Sequence, residues 1–331
     1  MKWLRTLILR TSILRISILL ILMGSTVAFA AEHGRMIRES TIFLSPDAKS
    51  SKLAKIERGR EIVVLDHSQD WIHVEAILTE PKQQDEDDDT DSDERQRIVT
   101  GWILDKGIVL QSTPDGDKIL FGEAIDSEDE ASERNARNGA AQDALHLYYG
   151  VFDLFPQSQL AGEGLFRAAD IRWQLDKADV MRLPSAKEQD PHLRNQINED
   201  LMHQVLKKFP GTKWADMAAF RMIDNKLCGD WQGTAKCPEK ESEIYEKYVA
   251  DHPQSPRAAE ALYDAAWRQA AMIGIFKGDE DMKKSDQAKA RAIDIAQKVA
   301  MQYPQSDYAS RAETLLFLVQ HDVSTWGSDP D

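Results

Sequence analysis

Cysteine is almost absent: Cys228 and Cys237 are the only two in 331 residues. That number excludes a disulfide-dense mini-scaffold and a four-thiolate zinc site. Positive charge is also in short supply, with 41 Lys and Arg against 56 Asp and Glu. Four of those basic residues (Lys2, Arg5, Arg10, Arg15) and none of the acids lie in residues 1–30, so the remaining chain carries −19. A chain this acidic is repelled by phosphate backbones and anionic lipid, which argues against a nucleic-acid partner and against docking on a charged bilayer. No second long apolar run follows the first thirty residues, which excludes a multi-span membrane protein. Phosphate-cradling glycine loops are missing, both G-x-x-x-x-G-K-[ST] and G-x-G-x-x-G. So are G-x-S-x-G and H-E-x-x-H, and the eight His show no ligand spacing. No cofactor or metal is expected.

Residues 1–30 have the pattern of an export signal. Met1–Arg15 carries the four cations, Ile16–Ala31 is uncharged, and Ala28-Phe29-Ala30 places small residues at −3 and −1 of a cleavage site before Ala31. The uncharged run is shorter than the roughly twenty residues a spanning helix needs, so removal between Ala30 and Ala31 is expected over retention as an amino-terminal anchor. With the signal removed, no transmembrane span is expected. The lack of a cysteine near residue 31 rules out a lipid-modified amino terminus. In an oxidising compartment, periplasmic or extracellular, Cys228 and Cys237 are expected to pair as a local disulfide, the alternative being a reactive thiol or metal ligand. Closing so short a loop stabilises by about 2–3 kcal/mol on the chain-entropy model.

From about Ile37 to Leu120 the periodicity is strand-like. Thr41–Leu44 ends at a Ser45-Pro46-Asp47 turn, and Glu61–Leu65 follows Gly59. In Trp71–Ala76, Ile72, Val74 and Ala76 alternate with Trp71, His73 and Glu75, and Val99–Ile103 and Gly107–Leu110 complete the set. Short strands without intervening helix predict a small all-β barrel. Glu80–Arg97 interrupts it with nine acids and three bases, which keeps that stretch solvated. Asp89, Asp91 and Asp93 alternate like the start of a calcium loop, but Glu94 stands where glycine belongs and Thr100 where the closing Glu belongs. The acidic Asp126–Gly139 is expected to be inter-domain linker or a first helical turn.

The order Leu53…Ile56, Gly59, Ile62-Val63-Val64, Trp71-Ile72-His73-Val74 and Gly101-Trp102-Ile103 resembles the bacterial SH3-like domain over residues 36–112. The first strand departs from it, with Phe43-Leu44-Ser45-Pro46 in place of an Arg-containing entry. The resemblance implies a cell-envelope binding module for wall peptides or glycans, with Trp71 lining a ligand groove. Read from the residues alone, Trp71 is a partly buried strand residue.

The strongest signal is an internal repeat. Pro156, Pro210, Pro253 and Pro304 are each preceded by Phe155, Phe209, His252 or Tyr303 and followed two residues on by Ser158, Thr212, Ser255 or Ser306. Five after each proline stands Ala161, Ala215, Ala258 or Ala309, and eight after stands Gly164, Ala218, Ala261 or Ala312. Before each proline, apolar residues at −9, −8, −5, −4 and −1 form one helical stripe. Twelve and thirteen after it come Ala168 and Ala169, Met222 and Ile223, Ala265 and Ala266, Leu316 and Phe317, all apolar. Each unit reads as a helix stopped by proline, then a second helix capped by the hydroxyl residue. Such hairpins must stack to bury their faces, which predicts an all-α solenoid of about four. The pattern resembles the tetratricopeptide repeat over about residues 140–322, in the variant of envelope proteins such as the outer-membrane assembly lipoprotein and the periplasmic coordinator of cell division. The proline spacings of 54, 43 and 51 exceed the standard of about 34, so insertions are expected at Lys187–Pro191, Cys228–Cys237 and Phe276–Lys284.

The expected architecture is therefore multidomain: signal 1–30, SH3-like barrel 36–112 with an acidic loop at 80–97, linker 113–139, repeats 140–322 and tail 323–331. The expected function is a non-enzymatic envelope scaffold binding proteins or peptidoglycan. Outer-membrane protein assembly is an alternative. A cell-wall cysteine peptidase built on Cys228 and His252 is disfavoured. Tyr149, His203, Glu246 and Gln297, seven before each proline, lie off the apolar stripe with Asp153 and Lys207. They are candidate groove residues, or a merely solvated face. Mass spectrometry of the exported chain should find Ala31 at its amino terminus; a retained Met1 would show that the leader is an anchor.

Overall fold

The computed structural model describes residues 31–80 and 95–325. The expected signal with Ala30, the Asp89/Asp91/Asp93 alternation and residues 326–331 of the tail lie outside the described residues. Ala31 is exposed at the start.

Seven antiparallel strands come first: β1 (Glu32–Met36), β2 (Ser40–Phe43), β3 (Lys52–Ile56), β4 (Glu61–Ser68), β5 (Trp71–Glu80), β6 (Arg95–Leu104) and β7 (Ile108–Leu110). They form one sheet in the order β3-β2-β6-β5-β4-β1-β7. The period-2 pattern places Ile62, Val64, Ile72, Val74, Ala76, Val99 and Ile103 in a shared core with Met36, Ile42 and Ile56. β5 and β6 pair in register, with Trp71 opposite Leu104, His73 opposite Trp102 and Ile77 opposite Ile98. The sheet is open, which corrects the expected closed barrel: its edge strands β3 and β7 are not paired with each other. β7 has three residues, and its Val109 is buried not in the sheet core but with Leu120 and Ala124 of the first helix, which covers that edge. The module also begins earlier than residue 36. β1 lies between β4 and β7, and it packs closely at Gly34, where a Cβ would stand 3.0 Å from the Val109 carbonyl oxygen and would displace the end of the Leu110 side chain.

Nine helices follow among the described residues: α1 (Gly116–Ser132), α2 (Ala140–Leu154), α3 (Ala161–Val180), α4 (Asp200–Lys208), α5 (Lys213–Arg221), α6 (Lys236–Asp251), α7 (Ala258–Gly278), α8 (Met282–Gln302) and α9 (Asp307–Gln320). The expected linker 113–139 is thus mostly helix. Leu120 and Ala124 of α1 are fully buried against Ala144, Leu147 and Tyr148 of α2. Ile119 and Ile125 point outward, so α1 carries no clean apolar stripe, and its acidic second half resembles a solvated loop.

The four prolines do what the repeat demands. α2, α4, α6 and α8 end at Phe155, Phe209, His252 and Tyr303, all with φ between −126° and −132° and ψ between 49° and 58°. In each, the cap N–H donates to the carbonyl four residues back: Val151, Val205, Tyr248 or Val299. A residue before proline is barred from the α region, so the helix stops at the same point each time. Thr212 Oγ1 accepts from Ala215 N and Ser306 Oγ from Tyr308 N as helix caps. Ser158 and Ser255 instead accept from Leu160 N and Arg257 N, in a turn just before α3 and α7. Ala169, Ile223 and Ala266 are buried, whereas the equivalent Phe317 is 56% exposed, because no hairpin follows α9 among the described residues.

Two insertions meet each other. Between α3 and α4 the chain makes short turns at Pro184–Lys187 and Pro191–Leu193. The loop between α5 and α6 carries the Cys228–Cys237 disulfide (S–S 2.12 Å, Cα–Cα 6.0 Å). Gly229 N donates to Glu188 O, Gln189 Nε2 to Trp231 O and Thr234 Oγ1, and Arg194 Nη1 to Leu227 O. Beneath the loop, buried Glu241 accepts from Cys228 N, Trp231 Nε1 and Arg268 Nε. The third expected insertion, Phe276–Lys284, is a correction: α7 runs to Gly278 and Asp281 caps α8, so most of the extra length became helix.

Small residues at the eighth position set the helix spacing. A Cβ on Gly164 would stand 2.8 Å from the Tyr148 carbonyl oxygen and 3.2 Å from Val151 Cβ. Helix propensity favours Gly→Ala by about 1 kcal/mol, yet overpacking here costs about 1–3 kcal/mol. Gly164→Ala should therefore lower the urea midpoint, and Gly164→Val should lower it further.

Candidate functional site

The sequence-derived groove residues are not gathered into one site. Tyr149 is half-buried, with its ring 5.9 Å from Phe152 and 5.8 Å from the Arg35 guanidinium. Asp153 accepts from Arg35 Nη2 at 2.9 Å, which ties it to the sheet. Glu246 on α6 is paired with Arg291 of α8. His203 is exposed and pairs with Glu199, and Lys207 and Gln297 are exposed on α4 and α8. Trp71 is half-buried at the start of β5, edge-on to Phe43 with ring centroids 5.5 Å apart. Beside it His73 stacks on Trp102 at 4.8 Å, and Ile77 and Ile98 are 46% and 63% exposed, with Glu75 and Thr100 paired between them, so this sheet face is open and mixes aromatic, aliphatic and polar side chains. The sulfur of Cys228 is in the disulfide, and His252 Nδ1 lies 2.8 Å from Asp216 Oδ1, so that pair provides no thiol nucleophile. Among the described residues no group of three or more His, Cys, Asp or Glu side chains is placed to hold a metal ion.

A cleft of about 620 Å³ lies where the sheet meets the first helices. Its walls come from the chain around β2, the β3–β4 turn, the end of α1 and the start of α2, and they include Arg38, Arg58, Arg60, Arg137 and His146. The β3–β4 turn reaches α2 because residue 59 is glycine: its φ is +78°, and a Cβ would stand 2.7 Å from His146 Cβ. Behind it, Arg35 is 6% exposed and donates to Gly59 O at 3.2 Å as well as to Asp153. The Arg35 stem runs against α2 at Gly150, where a Cβ would stand 3.0 Å from Arg35 Cγ.

Electrostatics in the cleft are built from paired charges. Glu123 on α1 accepts from both Arg38 and Arg58, and its main-chain carbonyl accepts from Arg58 Nη2 at 3.0 Å. Burial pushes the Glu123 pKa up, but the hydrogen bonds and charges of Arg38 and Arg58 outweigh it and hold the carboxyl below its ordinary value. Arg137 donates to Glu130 and, at 2.6 Å, to Asp143. Burial still raises Asp143 above the usual carboxylate range. Burial, and then the charges of Arg60, Arg35 and Arg172, press His146 down to about 4, so its imidazole is neutral at pH 7.

None of these junction residues stood out in the sequence. The available signal was charge: residues 31–65 hold seven Lys and Arg against five acids, in a chain that is otherwise strongly acidic. No family model matches the chain, and no curated protein matches it. Among solved structures, the de novo designed helical repeat protein DHR64 aligns over 63% of this chain and 95% of its own, at 15% identity and a TM-score of 0.21. A likeness that slight supports no statement about fold or function.

The lowered His146 pKa fixes the sign of a pH effect. The unfolded chain takes up this proton near 6.5 and the folded chain only near 4. The contribution is therefore whole above pH 6.5 and is lost as pH falls from 6.5 towards about 4. Denaturation midpoints should decline across that window, and His146→Gln should flatten the decline.

Proposed function

We propose that the protein is a non-enzymatic adaptor of the cell envelope, holding protein or peptidoglycan partners by surface complementarity. The observation that carries this reading is the fourfold helix–Pro–helix hairpin with one cap geometry throughout. Repetition of that kind sets side chains at equivalent heights along a stack, an arrangement suited to gripping an extended or helical partner. On this reading the hairpins are a tetratricopeptide-like solenoid. His203, Lys207 and Gln297 are open to such a partner, whereas Tyr149, Asp153 and Glu246 are engaged within the chain. The sheet acts as an SH3-like module with an open barrel, and its exposed face beside Trp71 is the second contact surface. The cationic leader and the paired cysteines favour an exported, periplasmic setting.

Two measurements test the proposal. The exported chain should sediment with purified peptidoglycan or be recovered with envelope proteins after periplasmic crosslinking. Trp71→Ala should weaken the first and His203→Ala with Lys207→Ala the second. Recovery of no wall fragment and no protein would sink the adaptor reading, and co-purification with barrel-assembly components would redirect it to outer-membrane protein assembly.

A further inference from the structure

The turn between α1 and α2 holds a pair of residues that react with each other. Asparagine is among the thermally labile side chains, because the main-chain nitrogen of the next residue can attack its amide carbon. Attack is easiest when that next residue is glycine, which puts no Cβ in the way. The chain has five asparagines, and only Asn138 precedes a glycine.

The fold separates Asn138 from the other four as well. Asn225 Oδ1 accepts from Ile197 N, and its Nδ2 donates to Ile197 O and Glu199. Asn198 Oδ1 accepts from Asp200 N, and Asn195 Oδ1 from Ser185 Oγ. Asn135 is followed by Ala136, whose N–H donates to the Glu133 carbonyl. The exposed Asn138 amide has no hydrogen-bond partner among the described residues, and neither has the Gly139 N–H. A second pair open to the same ring closure, Asp115-Gly116, is protected: Gly116 is buried and its N–H donates to Thr113 O at 3.0 Å.

Arg137 favours the reaction electrostatically. Its guanidinium is anchored by Glu130 and Asp143, and its Nη1 donates to the Asn138 carbonyl at 3.4 Å. That carbonyl shares a peptide group with Gly139 N, so drawing electrons from it makes the Gly139 N–H easier to deprotonate. The positive end of the α2 dipole acts in the same sense.

We propose that Asn138 is a deamidation site, converted in the folded chain to aspartate and isoaspartate. Gly139 N gives up its proton to solvent base and bonds to Asn138 Cγ, closing a succinimide ring. The Cγ–Nδ2 bond breaks, and ammonia leaves with a proton taken from water. Water then opens the ring at either carbonyl. Nothing is oxidised or reduced, and water is the co-reactant. Either product places a new carboxylate at the start of α2, and isoaspartate also adds one carbon to the main chain in the turn that leads into that helix. Nothing in this assignment depends on the adaptor role.

The test incubates the full chain, folded and separately in urea, at neutral and at mildly alkaline pH, and follows its peptides by mass spectrometry and by enzymatic methylation of isoaspartate. In the folded chain Asn138 should lose its amide while the other four asparagines keep theirs. The loss should be faster at the higher pH, because the attacking nitrogen must shed its proton. Ion exchange should resolve a form one charge more acidic, which Asn138→Gln should not produce, since its longer side chain needs a larger ring. Unfolding in urea should leave the Asn138 rate of the same order and should release isomerisation at Asp115. The inference is overturned if the Asn138 amide lasts as long as that of Asn135, if its loss in the folded chain is an order of magnitude or more slower than in urea, or if Asp115 isomerises equally in both states.

Discussion

The Arg35 guanidinium lies between β1 and α2, with one nitrogen on the Gly59 carbonyl and another on Asp153. A charge so deeply enclosed tolerates very few placements of its partners. Buried ion pairs of this sort add little net stability over apolar contacts of equal volume, because desolvation consumes most of the Coulombic gain. Their effect is on geometry. Arg35, together with Arg38 and Arg58 on Glu123, sets the angle and height at which the helices meet the sheet. The cleft exists because two turns of the sheet are held at that height above the start of α2.

The same contacts explain why the sheet stays open. α1 lies along the β7 edge, and Val109 joins the helical core under Leu120 and Ala124. A closing strand would have to displace that helix. Exposed sheet edges invite pairing with other chains. Here one edge is covered by a helix, and the other, β3, carries Lys52 and Lys55.

Features that repeat or alternate were legible in the chain. Ile72, Val74 and Ala76 announce a buried face by period two, and the aromatic-Pro-x-Ser/Thr turns announce four hairpins through backbone rules that act within a few residues. The disulfide, too, followed from short separation in sequence. The junction was not legible, because its parts are distant and individually ordinary. Arg58 and Glu123 are 65 residues apart, and neither belongs to a periodic pattern. β1 escaped notice for a related reason. Glu32-His33-Gly34-Arg35 has no apolar alternation, and its buried positions are filled by a glycine and the stem of an arginine. α1 was obscured by its acids, which are solvated but helical. The candidate groove residues were chosen by position on one helix, so the cross-chain partners that hold Asp153 and Glu246 were invisible from that vantage.

The cystine loop joins what its neighbours in sequence would leave apart. It leaves α5 and enters α6, yet it docks on the segment between α3 and α4, so the way out of the first hairpin is fastened to the way into the third. A chain of identical links can lose one link and close up. This one cannot, because the second hairpin is bracketed by a clasp made of its two flanking loops. Deleting the hairpin together with its cystine loop would leave Glu188, Gln189 and Arg194 without their partners. The array is therefore modular in pattern but indivisible in practice across its first three hairpins, and only the last can be shortened or extended without disturbing that clasp.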